Sequence, residues 1–230
     1  MKISFRNLFK DIQKSLIQRK QIQIPSVKGF ISFIFLSLLI YITIAIAFGY
    51  YIDDLDFHFR SEEGAITALS AIMLSITSGL SWVAFFLSSK KNNLAAYFWL
   101  LVTLGFGFFA LDELLEFHER LGYIIRISPV GPSETFRNWS DPIVIVYGVI
   151  AVFVAIYFLS EILRYPLFAE ILSAAFFSYC VHTIVDSTLG DSSLGRILEE
   201  SAKVFSSTLF ALAMFVGLLG IVSLNYQKIR

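Results

Sequence analysis

The stretch GFISFIFLSLLIYITIAIAFGYYI, residues 29–52, carries no charged residue in 24 positions. As an α-helix it would rise about 36 Å at 1.5 Å per residue, enough to cross a hydrocarbon core of about 30 Å. Working outward, five more stretches meet or nearly meet the same requirement: 63–88, 94–117, 141–163, 166–189 and 198–225. Only short polar breaks separate most of them. The longest break, 118–140, contains Gly122, Pro129, Gly131 and Pro132 and is long enough for a short lid or re-entrant element. The expectation is an all-α integral membrane protein, a bundle of six transmembrane helices forming a single domain over 25–230.

Composition agrees. At 57% hydrophobic and 16% charged, with mean hydropathy +0.73, the 230-residue chain is too apolar for a soluble domain. The first apolar run begins behind a basic stretch too long for a signal-peptide n-region and continues too far for an h-region, so it reads as a span. Residues 1–24 place Phe5, Leu8, Ile12 and Leu16 at spacings of three and four, with lysines and arginines largely on other faces. This is the pattern of an amphipathic helix lying on an anionic membrane surface. The lone Cys180 excludes an intrachain disulfide and a cysteine-based metal cage.

Charge is segregated although the formal net charge is +0. Placing the N-terminus inside puts most Lys and Arg on the cytoplasmic side, and six spans return the C-terminus there. The expected location is a plasma or inner membrane with both termini cytoplasmic. Of the 18 acidic residues, only Asp11, Glu161 and Glu170 share that side. Acids contribute little to topology, so their concentration on the other side asks for a separate reason. Glu62, Glu63, Asp141, Glu199 and Glu200 are expected at helix N-termini, where the dipole stabilises anions. Ser140-Asp141-Pro142 reads as an N-cap followed by a proline at the first helical position.

Two groups resist that account. Asp112, Glu116 and Glu119 follow an i, i+4, i+7 spacing at what should be a helix C-terminus, where the dipole disfavours anions and like charges repel. His182 and Asp186 repeat the oddity at i, i+4 near the end of the fifth span. Ionisable groups at such depth normally face a bundle interior or a wet cavity. An outward-facing polar pocket follows, lined by Glu63, Asp112, Glu116, His118, His182, Asp186 and Glu199 or Glu200.

Carboxylates with imidazole suit a divalent metal such as zinc, iron or manganese, with Asp112, Glu116, His182 and Asp186 as ligands. Glu113, His118 or Glu119 would then serve as acid or base. The leading expectation is a membrane-embedded, metal-dependent enzyme, such as a hydrolase, acting on a lipid-like substrate. The alternative is a non-catalytic subunit of a larger membrane assembly, its acids held in salt bridges to groups such as Lys203, one turn after Glu199. A proton or cation transporter is third, weakened by the scarcity of ionisable residues in the cytoplasmic half. Membrane lipids and other membrane subunits are the expected partners, with no nucleic acid. The mixture of acids and histidines resembles, in general character, intramembrane metal hydrolases of the ceramidase type. His182 is followed four residues later by Asp186 and not by a second histidine, and the span count is short, so membership is not assigned.

Overall fold

A helix that is apolar on every side must bury itself in protein or lipid, and the order of burial sets the architecture. In the computed structural model, the described residues are 5–52, 59, 64–89, 93–132, 138–189 and 192–227. All their regular structure is helical: α1 (Phe5–Gln21), α2 (Lys28–Ile52), α3 (Ala65–Ser89), α4 (Asn93–Leu115), α5 (Phe117–Ile127), α6 (Ser140–Tyr157), α7 (Leu159–Ile162), α8 (Phe168–Leu189) and α9 (Ser193–Gln227). Six of them, α2, α3, α4, α6, α8 and α9, are long and apolar enough to cross a membrane.

The 35-residue α9 is the centre. It packs closely on α8 and α3, and α3 packs on α4. Small residues permit these approaches. Along α3, Ser70, Thr77, Ser81 and Ala84 are fully buried on one face. Thr77 and Ser81 donate to the carbonyls of Met73 (2.7 Å) and Thr77 (2.8 Å), which satisfies their hydroxyls inside the helix. Between α8 and α9 two hydroxyls donate in opposite directions, Ser206 to the Ala175 carbonyl and Ser178 to the Ala202 carbonyl, each at 3.0 Å. The peripheral α2 joins through Phe30–Phe215 and Phe35–Phe205 ring contacts and the Tyr41 hydroxyl, which donates to the Ala65 carbonyl at 2.8 Å.

At the face of the bundle that carries α1, an aromatic core of Phe98, Trp99, Phe158, Tyr165 and Phe168 closes the structure. Glu161, 1% exposed, sits inside it. It accepts from Trp99 Nε1 (3.3 Å) and the Tyr165 hydroxyl (2.7 Å) and pairs with Arg164. α1 is fastened to this face by Ile22, which is buried in the same core, by an Arg19–Glu170 ion pair, and by the Gln227 amide donating to the Gln21 carbonyl.

Several expected boundaries move. The fourth apolar run breaks at Phe158, so α6 ends at Tyr157 and 159–162 form the separate α7. α6 begins at Ser140, one residue before its expected start, with Trp139 and not Ser140 at the cap. α9 begins at Ser193, so Glu199 and Glu200 lie in its second turn and do not open it. Part of the long break forms α5, whose Gly122 lies against the start of α6. Gly217 and Gly220 permit close packing against rings: a Cβ would stand 2.7 Å from Trp99 and 2.5 Å from Tyr165. Gly105 packs against nothing within 4 Å.

Replacing Gly220 by valine drives a branched side chain into the Tyr165 ring. The expected loss is about 2 kcal/mol, read as a lower thermal midpoint in detergent, with Gly29→Ala, which meets open space, as the unaffected control.

Candidate functional site

α4 does not run on through the acidic cluster. It stops at Leu115, and Glu116 takes left-handed backbone angles, φ 53° and ψ 38°, before α5 begins. The expected single face of Asp112, Glu116 and Glu119 is therefore broken by a corner. Asp112, 6% exposed, holds that corner. One carboxylate oxygen accepts the backbone N–H of His118 at 2.9 Å, and the other lies 2.9 Å from His118 Nδ1. The first bond caps an orphan donor in the first turn of α5, and the N-terminal end of the α5 dipole favours the anion. An acid at the wrong end of α4 is thus at the right end of α5.

The second group joins α4 to α9. Lys203 Nζ lies 3.0 Å from Glu113 and 2.8 Å from Glu200. All three are largely removed from solvent, so one cation serves two carboxylates. Of the remaining expected residues, Glu116 lies 3.9 Å from the exposed Arg120. His182 lies near the Glu199 backbone and against Tyr179, and its Nδ1 is buried without a hydrogen-bond partner. Glu63 lies outside the described residues.

These groups line one end of a single cleft of about 1670 Å³ between α4, α6, α8 and α9, with α5 and α3 contributing. Asp112, Glu113, Glu116, His118, Glu119, His182, Asp186, Glu199, Glu200 and Lys203 all reach it. The remainder of its wall is mostly apolar, formed by side chains such as Val102, Phe106, Leu172, Phe176 and Met214 with serines among them. Tyr147 and Tyr179 also line the cleft and were not singled out from sequence. Tyr147 meets Phe108 edge-on and Phe109 at a tilt, and the Tyr179 hydroxyl donates to the Val144 carbonyl at 3.2 Å. The only sequence signal for either was a phenol in the middle of an apolar run.

Among the described residues, no three His, Cys, Asp or Glu side chains are gathered as a metal-holding group. Asp112 is committed to His118, and Glu113 and Glu200 to Lys203. What the arrangement can do chemically lies in the Asp112–His118 couple. A carboxylate on Nδ1 fixes the tautomer and leaves Nε2 for proton transfer. Burial lowers the affinity of His118 for its proton, but the hydrogen bond to Asp112 and the charges of Asp112, Glu119 and Glu113 outweigh it, and the net pKa is raised above the ordinary 6.5.

Fold and site together define a class: an all-helical protein with six helices of membrane-crossing length and an amphipathic cleft among four of them. The chain belongs to the family described as a domain of unknown function, DUF8692, whose model matches residues 31–218. That span contains every described cleft residue and omits α1. No curated protein and no solved structure matches the chain.

Two outcomes test the site. Lys203→Met strands two carboxylates and should cost about 3 kcal/mol of stability in detergent, part of which a second Glu113→Gln change restores. Because the protonated His118 is the stabilised form, its contribution is full below pH 6.5 and is lost as pH rises through the raised value. The thermal midpoint should therefore fall as pH is raised past 6.5, and that slope should shrink in His118→Asn.

Proposed function

We propose that this protein is a membrane-embedded enzyme that takes a lipid-like substrate into the cleft and performs acid–base chemistry on its head group with His118. The observation that carries the reading is a hydrogen-bonded Asp112–His118 couple at the polar end of a mostly apolar cleft. Asp112 orients and charges the ring. His118 Nε2 gives a proton to a leaving group or takes one from water or a hydroxyl. Glu119 lies on α5 with His118 and tunes its charge. Glu113 serves the Lys203 network in place of the acid–base role expected of it.

A metal-dependent form of the same reading uses Asp112, Glu116, His182 and Asp186 as ligands. A zinc, iron or manganese ion there would polarise a carbonyl or activate water. The donor pairing now formed favours the acid–base form. A second reading, a non-catalytic subunit of a membrane assembly, is favoured by Lys203, which turns two of the acids into a clamp between α4 and α9.

The distribution of Lys and Arg supports a topology with both termini cytoplasmic and the cleft opening to the other side. It also supports α1 lying on the cytoplasmic surface. Phe9 and Ile17 are exposed beside Lys10, Lys14 and Lys20, a combination suited to anionic lipid head groups.

The test is turnover in liposomes made from a total lipid extract, followed by mass spectrometry of the lipids. A lipid consumed by the wild type should persist, with a rate lowered about 100-fold or more, in His118→Ala. No difference between the wild type and protein-free liposomes would favour the subunit reading. Elemental analysis of the purified protein separates the two enzymatic forms: a stoichiometric transition metal lost in His182→Ala would select the metal form.

A further inference from the structure

The cleft reaches the side of the bundle as well as its end. Leu101, Leu104 and Phe108 of α4 and Ile150 of α6 line it and are also 40–59% exposed. The backbones of α4 and α6 are not closely packed. Rings hold them at two levels, Phe98–Phe158 at the α1 face and Phe108 and Phe109 with Tyr147 near the acidic end. Between those levels Gly105 faces the cleft with open space where a Cβ would be. This gap lies at the depth of the apolar runs, where lipid chains and not water would stand beside it.

The charge of the polar end selects among amphiphiles. Eight Asp and Glu against three Lys and Arg line the cleft among the described residues. The one cation of the inner triad is shared by two carboxylates. Two polar side chains in the wall, each more than nine-tenths buried, also have atoms without a hydrogen-bond partner: Ser70 Oγ and Glu200 Oε2. A buried acceptor without a donor is costly, and a ligand donor would relieve it. An anionic head group would meet like charge and offer Glu200 no hydrogen. A protonated amine offers both opposite charge and several donors.

We infer that the cleft admits, sideways between α4 and α6, a long-chain amphiphile with a cationic amine head group, its chain in the apolar part and its amine at the acidic end. This rests on the lipid-like substrate proposed above and names its class. Binding requires no chemistry at His118, so it is tested apart from turnover.

The probe is a long-chain primary amine with a photoactivatable group in its chain, compared with the matched alcohol and the matched carboxylic acid, on the full chain in neutral detergent. Cross-linked peptides are located by mass spectrometry. The expected result is labelling of α4 near Gly105 and of α6 near Ala151, stronger for the amine than for the acid by at least about tenfold. Gly105→Trp, which fills the gap, should remove that labelling. Gly79→Trp, equally open but away from the cleft, should leave it and shows that a tryptophan in an open helix position is tolerated. Equal labelling by amine and acid, labelling unaffected by Gly105→Trp, or no labelling at these helices with any probe would each overturn the inference. Amine labelling of a wild-type protein that turns over no lipid in liposomes would leave this inference standing and remove the enzymatic reading instead.

Discussion

A carboxylate set among apolar helices must be met by a donor, and the way each is met organises this bundle. Glu161 collects an indole, a phenol and a guanidinium and so ties α4 to the segment that joins α6 and α8. Glu113 and Glu200 converge on Lys203 and tie α4 to α9. Asp112 captures both the backbone and the ring of His118 and turns the chain from α4 into α5. In each case satisfying the charge also fixes where two helices meet. Such pairs add little net stability over apolar substitutes, but breaking one is expensive, which makes them fasteners more than sources of cohesion.

Cohesion comes from the contrast between two kinds of interface. Where α9 meets α3 and α8, serine, threonine and alanine let backbones approach, and hydroxyls find carbonyls in the same or the neighbouring helix. Where α4 meets α6, bulky rings hold the helices apart and space remains between them. The cleft is the result of that difference in side-chain size, closed at one face by the aromatic core and charged at the other.

The six long helices were legible because a run of about 20 apolar residues has few other uses. The acids and histidines that line the cleft stood out in the sequence too, since such residues inside apolar runs are rare and tend to face one another. Their pairing did not. The i, i+4, i+7 spacing of Asp112, Glu116 and Glu119 looks helical throughout, and only a tertiary bond from Asp112 to His118 reveals the corner at Glu116. Lys203 was visible as a counter-ion for the acidic end, yet Glu113, its partner on α4, lies ninety positions away, and no local pattern specifies that pairing. The early start of α9 was missed because Ser193, Gly195 and Arg196 are polar or flexible and depress the hydropathy of its first turns. Glu161 was read only as one of three acids on the cytoplasmic side, since nothing local announces that Trp99 and Tyr165 will converge on it.

The central position of α9 has a consequence for biosynthesis. Of its two principal neighbours, α3 is made long before it, as is α4, which supplies Glu113. At 5–20 residues per second, the ninety residues between Glu113 and Lys203 take roughly ten seconds to synthesise. During that interval Glu113 has left the ribosome without its cation, and the small-residue face of α3 has nothing to pack on. The early helices must wait until α9 is made, which completes the core and the ion triad together.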